Sequence, residues 1–272
     1  MKCRLCGSKK FKKLYVVEQF KIEKCTNCGL VRTNSLDTKQ YDEYHRDEKE
    51  YTKDEALFRN IFLKRYQNII KYKDKETILD IGASTGTMLS IFKDAGWDVW
   101  GVEPSETAVK VAKKRGIKMS QGFFENVKLP PNHFDVVLMN HTFEHVEDPL
   151  KVLKKIKRVL KKDGIVYIDV PNFDSWDAQV KGANWGYLMP SEHTFHYTSE
   201  TLRKLMEKTG FEVVWWGSWS GIFDVGNPIK KLWYELSHFK LAFFKDLVRI
   251  PVNIFTTATK RGASLAMIGR KG

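Results

Sequence analysis

Cys3, Cys6, Cys25 and Cys28 are the four cysteines of the chain, and they form two C-x2-C pairs with eighteen residues between them. That is the spacing of a four-thiolate zinc site, in which two tight knuckles each offer two sulfurs to a tetrahedral ion. Gly7 and Gly29 follow the second cysteine of each pair, where a knuckle needs positive φ and close approach of backbone to sulfur. Two disulfides would need an oxidising compartment, and a redox C-x-x-C would need a thioredoxin-like fold behind it. Four thiolates fill the coordination sphere, so the expected ion is structural rather than catalytic.

The second chemistry-bearing stretch is Gly82-Ala83-Ser84-Thr85-Gly86, within "ILDIGASTGTML". It fits the G-x-S-x-G elbow of a serine hydrolase, and it also fits a glycine turn that receives a nucleotide cofactor. An elbow needs an earlier strand whose loop supplies the oxyanion hole, and no HGGG-like loop precedes Ser84. The cofactor reading gains Glu103, 21 residues past Gly82 at the end of the next strand, where a carboxylate can accept both hydroxyls of an adenosine ribose. A nicotinamide cofactor would call for G-x-G-x-x-G, whereas here Ser84 stands at the second glycine and Asp80 lies just before the turn. A carboxylate there suits a cofactor with a cationic end and no phosphate, such as S-adenosylmethionine with its ammonium and sulfonium.

Two histidine clusters follow. "HTFEH", His141 to His145, fits the H-x-x-E-H pattern of zinc peptidases, but it directly follows the strand-like "FDVVLMN" and soon meets Pro149, leaving no room for two helical turns. "PSEHTFHYTSETL" places Glu192, His193 and His196 just before a helix expected near Ser199. His193 can serve as a base; the plainer alternative is that His193 packs and His196 caps that helix.

The elements that must position these residues alternate. Strand-like segments at Ile78–Ile81, Val99–Val102, Ile117–Met119, Phe134–Met139 and Ile165–Val170 are separated by amphipathic helices over about Thr87–Ala95, Glu106–Arg115 and Leu150–Leu160. This implies an α/β fold with a doubly wound, mostly parallel sheet that binds its ligand at the carboxyl ends of the strands. The chain divides into a zinc-binding module at 1–33, a polar linker and covering helix at 34–76, and a main domain at 77–272. A helical aromatic and basic insertion, broken at Pro251, occupies about 227–261.

At this point the chain resembles a class I S-adenosylmethionine-dependent methyltransferase. The matching segments are "ILDIGASTGTML", "VWGVEPSETAVKVAKKRG" and "FDVVLMNHTFEHVEDPLKVLKKIKRVLKKDGIVYIDVPN", covering roughly Thr77 to Val214. Ser84 departs from that family's usual D-x-G-x-G-x-G loop. The resemblance implies a seven-stranded Rossmann-like sheet. It implies Asp80, Gly82, Ala83 and Gly86 at the methionine end of the cofactor, Glu103 and Pro104 at the ribose, and Phe123, Phe124 and Glu125 at the adenine. Asn140 and His141 would face the cofactor, with His145 starting the next helix. "SEHTFHY" is similar to the E-H-x-x-Y/F stretch of sugar methyltransferases that carry the same N-terminal zinc module. That implies His193 as base for oxygen or carbon methylation, assisted by Glu192, with His141 and His145 shaping the pocket and His145 the next candidate base, and zinc ordering a lid over a small-molecule or glycan acceptor.

Charge sets the competing reading. The formal net charge is +13; residues 1–33 carry nine Lys or Arg against Glu18 and Glu23, and residues 227–272 nine against Glu235 and Asp246, so each end is +7. A zinc-ribbon nucleic-acid-binding protein or RNA methyltransferase is therefore the alternative, although charge and aromatic content are its sole support. The mixture of Trp, Phe, Leu, Lys and Arg in 227–261 also suits a helix lying on a membrane. Without an apolar leader or a spanning segment the expected location is the cytoplasm, peripheral to the membrane where the insertion meets it. The pattern leaves the oligomeric state open.

Overall fold

The computed structural model describes residues 2–34, 55–238 and 240–272, so the linker expected over 34–50 lies outside the described residues from position 35 onward. The chain opens with a small meander, β1 (Phe11–Val17), β2 (Phe20–Cys25) and β3 (Val31–Asn34), followed after the linker by α1 (Glu55–Ile69). It continues as β4 (Thr77–Ile81), α2 (Thr87–Asp94), β5 (Asp98–Glu103), α3 (Glu106–Lys114), β6 (Lys118–Gln121), β7 (Phe134–Asn140), α4 (Pro149–Val159) and β8 (Leu160–Pro171). Then come α5 (Trp176–Lys181), a two-residue β9 (Phe195–His196), α6 (Ser199–Lys208) and β10 (Phe211–Trp219). A helical pair, α7 (Pro228–Ser237) and α8 (Leu241–Ala258), precedes the closing β11 (Ser264–Lys271).

The main sheet has seven strands in the order β10-β11-β8-β7-β4-β5-β6. The run from β8 to β6 is parallel, whereas β11 lies antiparallel between β8 and β10. This is the doubly wound α/β sheet expected. Strand β7 is apolar on both faces because helices cover both sides, so Phe134 and Val136 to Met139 are all buried. The helices begin at identifiable caps: Ser105 on Ala108 N–H, Asp148 on Lys151 N–H ahead of Pro149, and Thr198 in a reciprocal box with Thr201.

Three local expectations change. The cap of α6 is Thr198, not His196, whose ring is buried and turned toward the N-terminal module. His145 ends a short 3-10 turn, Phe143–His145, and α4 begins only at Pro149, where proline's fixed φ suits a first helical position. Pro251 sits inside the continuous α8; the first helix of the insertion ends at Ser237 and α8 begins at Leu241. Pro251 is exposed, so water can serve the Leu247 carbonyl that the missing N–H leaves unbonded.

Candidate active site

The central strand order reverses between β4 and β7, and the loops leaving their carboxyl ends meet there. In an open parallel sheet this crevice receives the ligand. After β4 the backbone turns through Gly82, Ser84 and Gly86 at φ of 78°, 47° and 75°. A Cβ at Gly82 would lie 2.4 Å from Thr142 Oγ1, so the two loops touch closely enough to demand glycine.

Two acids face this turn. Glu103, half-buried at the end of β5, accepts the Ser84 N–H on Oε2 and the Ser105 N–H on Oε1, each at 3.0 Å. Burial raises its pKa, and the two backbone bonds pull it back in part. Asp80 is buried and its Oδ1 has no hydrogen-bond partner. Burial first, and then Glu103, hold its carboxyl well above the ordinary range. A cation beside it would favour the ionised form, so the pair fits a cofactor with an ammonium at one end and a ribose at the other. Ala83 is buried behind the loop and Pro104 is half-buried after Glu103. Of the two aromatics, Phe124 is core, with Lys155 Nζ 4.8 Å from its ring centroid and bonded to the carbonyls of Phe124, Glu125 and Val127. Phe123 is exposed and Glu125 half-buried.

The loop after β7 brings the histidines together around one carboxylate. Glu144 is buried, and neither of its oxygens meets hydrogen-bond geometry; His141 Nδ1 lies 3.3 Å and His193 Nε2 3.9 Å from Oε1. Burial opposes its charge, but His141 above all, with His145 and His193, holds its pKa below the usual range. Burial also disfavours the imidazolium of His141, yet Glu144 outweighs it and raises that pKa. The Nδ1 of His193 is 2.9 Å from the Tyr187 carbonyl, which can only accept, so Nδ1 carries the proton and Nε2 keeps its lone pair. Burial lowers the His193 pKa to about 4, leaving a neutral imidazole at pH 7. His145 packs edge-on against it at 4.9 Å between ring centroids, with Nδ1 3.1 Å from the Glu192 carbonyl. The ligand atoms of Glu144, His145 and His193 lie within 4.8 Å of one another. Glu192 thus contributes its backbone here, and the carboxylate beside His193 belongs to Glu144.

The N-terminal module holds this loop from outside. β3 pairs with β9, Arg32 opposite Phe195 and Val31 opposite His196, extending the meander into a four-stranded sheet. Thr33 Oγ1 donates to the His193 carbonyl at 2.7 Å and so accepts from His196 Nε2 at 3.0 Å. In the module itself the cysteines form no disulfide, with Cys3 and Cys28 sulfurs 3.5 Å apart and Cys6 and Cys25 likewise. All four sulfurs lie within 4.8 Å of one another. Sulfurs bound to one tetrahedral ion at ~2.3 Å are about 3.8 Å apart, so the donor set suits zinc.

A buried ion network underlies the site, and no motif announced it. Arg65 of α1 reaches Asp169 Oδ2 at 2.8 Å, Asp224 Oδ1 at 2.6 Å and Asn140 Oδ1 at 3.3 Å, while Ser264 Oγ donates to Asp169 Oδ1 at 2.7 Å. It fixes Asn140 by joining α1, β7, β8, β11 and the turn before the insertion. The signal available was an arginine in the covering helix, beside Arg59 and Lys64 and not set apart from them, and an acid inside the strand "YIDV".

Residues 44–215 match a family model described as "Methyltransferase domain". The chain belongs to this methyltransferase family. It is 28% identical over 162 residues to an uncharacterized methyltransferase of Bacillus pumilus, a match covering 54% of this chain and 76% of that one. It is 27% identical over 146 residues to the C-methyltransferase NovU of Streptomyces niveus, a match covering 52% of this chain but only 34% of that enzyme. Among solved structures, an S-adenosylmethionine-dependent methyltransferase of Thermotoga maritima superposes with a TM-score of 0.57 at 24% identity, over 82% of this chain and 95% of the other. The chain is thus a methyltransferase by family, with the fold of the S-adenosylmethionine-dependent enzymes.

Proposed function

We propose that this methyltransferase uses S-adenosylmethionine to methylate an oxygen or carbon of a sugar, free, nucleotide-linked or part of a glycan, with His193 as the base. The observation that supports it best is the placement of a neutral, tautomer-fixed imidazole beside Glu144, in the loop whose Thr142 packs on the Gly82 turn. Asp80 would hold the ammonium, Glu103 the ribose hydroxyls, and Phe123 and Glu125 the adenine, with Asn140 and His141 at the methyl end. When bound, the cofactor supplies an electrophilic methyl that the acceptor's oxygen or carbon attacks as the thioether leaves.

The chain's own part is proton removal. His193 Nε2 accepts the proton of a hydroxyl, or of the carbon beside a ketone, and the Glu144 carboxylate stabilises the imidazolium that forms. His145 and His141 line the same space. The cysteine module would hold one structural zinc, and through Thr33 it fixes the position of the His193 loop. The distant likeness to a C-methyltransferase gives some weight to a carbon target.

The test is mass spectrometry of ketosugars, nucleotide sugars and short glycans incubated with the protein and methyl-labelled S-adenosylmethionine. Methylated sugar is the expected product; label found in RNA alone would overturn the sugar reading. His193→Gln should bind S-adenosylhomocysteine with parental affinity and melt at the parental temperature while turnover drops by roughly 10² to 10⁴. Turnover within about threefold of the parent would remove His193 as the base, since general-base loss costs far more.

A further inference from the structure

The insertion α7–α8 is built inside out. On α8 the two fully buried residues are polar, Asn253 and Thr256, while Ala242, Phe243 and Ile250 are half-buried. Its outward stripe is Leu241, Phe244, Val248, Val252 and Phe255, spaced three or four residues apart and 50–79% exposed. α7 repeats the inversion. Ile229 and Trp233, four residues apart, are 79% and 70% exposed, while Glu235 is buried.

The charges are sorted in the same way. Both acids of the insertion, Glu235 and Asp246, are taken up by Lys231 in the cleft between the helices. Lys230, Lys240, Lys245 and Arg249 remain on the exposed surface beside the apolar stripe. An apolar face flanked by cations alone complements an anionic bilayer, whose headgroups meet the basic residues while the aromatics enter the acyl boundary. A two-fold dimer through the same face would bring the four cations of one copy against those of the other. Among the described residues no helix is long and apolar enough to cross a membrane, so the contact would be peripheral.

We propose that the α7–α8 hairpin docks the protein on anionic phospholipid membranes. The far end of the stripe meets the main domain: Phe255 packs edge-on against Trp176, 5.7 Å between centroids, and Trp176 opens α5, which precedes the His193 loop in the chain. On the sugar-methylation reading, docking presents the active site to a lipid-linked acceptor.

The full chain should sediment with vesicles of phosphatidylglycerol and phosphatidylcholine, and bind pure phosphatidylcholine at least about tenfold less, with salt weakening the difference. The double variant Phe244→Glu and Val248→Glu should lose about tenfold or more of the binding to anionic vesicles. It should keep the parental melting temperature and its affinity for S-adenosylhomocysteine, which separates this test from the methyl-transfer reading. Equal binding of parent and variant, or no binding to anionic vesicles, overturns the proposal. So does a parent that is dimeric by light scattering and becomes monomeric in the variant, which would assign the face to a second copy of the chain.

Discussion

The two basic ends of the chain treat their apolar residues in opposite ways. The N-terminal module turns Leu5, Phe20, Ile22, Leu30 and Val31 inward, sends polar contacts from Arg4, Leu5 and Thr33 into the main domain, and adds a strand edge to the active-site loop. The α7–α8 hairpin buries Glu235, Asn253 and Thr256 and shows its aromatics to the outside. Equal charge therefore says little about role; the direction of the apolar face says more. One end is part of the machinery that positions His193, and the other is a surface awaiting contact.

The sharpest way to break this contrast is to remove the four-cysteine cluster. Structural zinc in isolated fingers is worth about 10–16 kcal/mol, so a small module without it should not stay folded. Elemental analysis should find one zinc per chain, and Cys25→Ser should abolish it. Near-UV circular dichroism should then show the module melted and turnover should collapse with S-adenosylhomocysteine binding kept, because β3 no longer holds β9. No substitution on the outward face of α8 should do the same. A Cys25→Ser variant with full turnover would show that the module does not position the loop.

The next largest effect belongs to the root of the insertion. Arg65→Ala strands Asp169 and Asp224 without their cation, and breaking a buried pair in this way costs about 3–5 kcal/mol. Urea denaturation of the parent and variant measures it. A loss below about 1 kcal/mol, the range of an exposed pair, would mean that water reaches the network.

How much of this was legible beforehand follows from which interactions are local. The βα alternation and the glycine turn depend on neighbours within a few residues, so periodicity and spacing reveal them. The distance from Gly82 to Glu103 is set by one helix and one strand, and the sequence carries it as well. Glu144 was visible only as the fourth letter of a peptidase-like pattern, and its place at the centre of three imidazoles required the loop after β8 to fold back over β7. Thr33 and His196 are 163 residues apart, and no local signal joins them. Pro251 misled for a related reason: a helix tolerates proline where the freed carbonyl faces water, and that exposure is a tertiary fact.

Thr33 provides a smaller test of the positioning role. Thr33→Val removes the donor to the His193 carbonyl and the acceptor for His196, leaving buried groups unpaired at a cost of about 1–3 kcal/mol. If the module only stabilises, turnover per folded molecule at 10 °C should match the parent. If it positions His193, kcat should fall while affinity for S-adenosylhomocysteine stays the same.

The smallest effect isolates His196 by pH. Its ring is buried between Thr33, Phe173 and His193, and burial drives its pKa from 6.5 down to about 3. The folded value lies below the unfolded one, so the unfolded chain binds the extra proton first. The contribution of the neutral ring is therefore complete above about pH 6.5 and is lost progressively as pH falls toward 3. From pH 6.5 to 5.5 this single group should remove about 1 kcal/mol. His196→Gln replaces the donor to Thr33 by a group that does not titrate. Its stability should fall by about 1 kcal/mol less than the parent's over the same interval, whatever its starting value. Parallel curves for parent and variant would mean that His196 accepts its proton in the folded state, and that the β3–β9 junction is open to water.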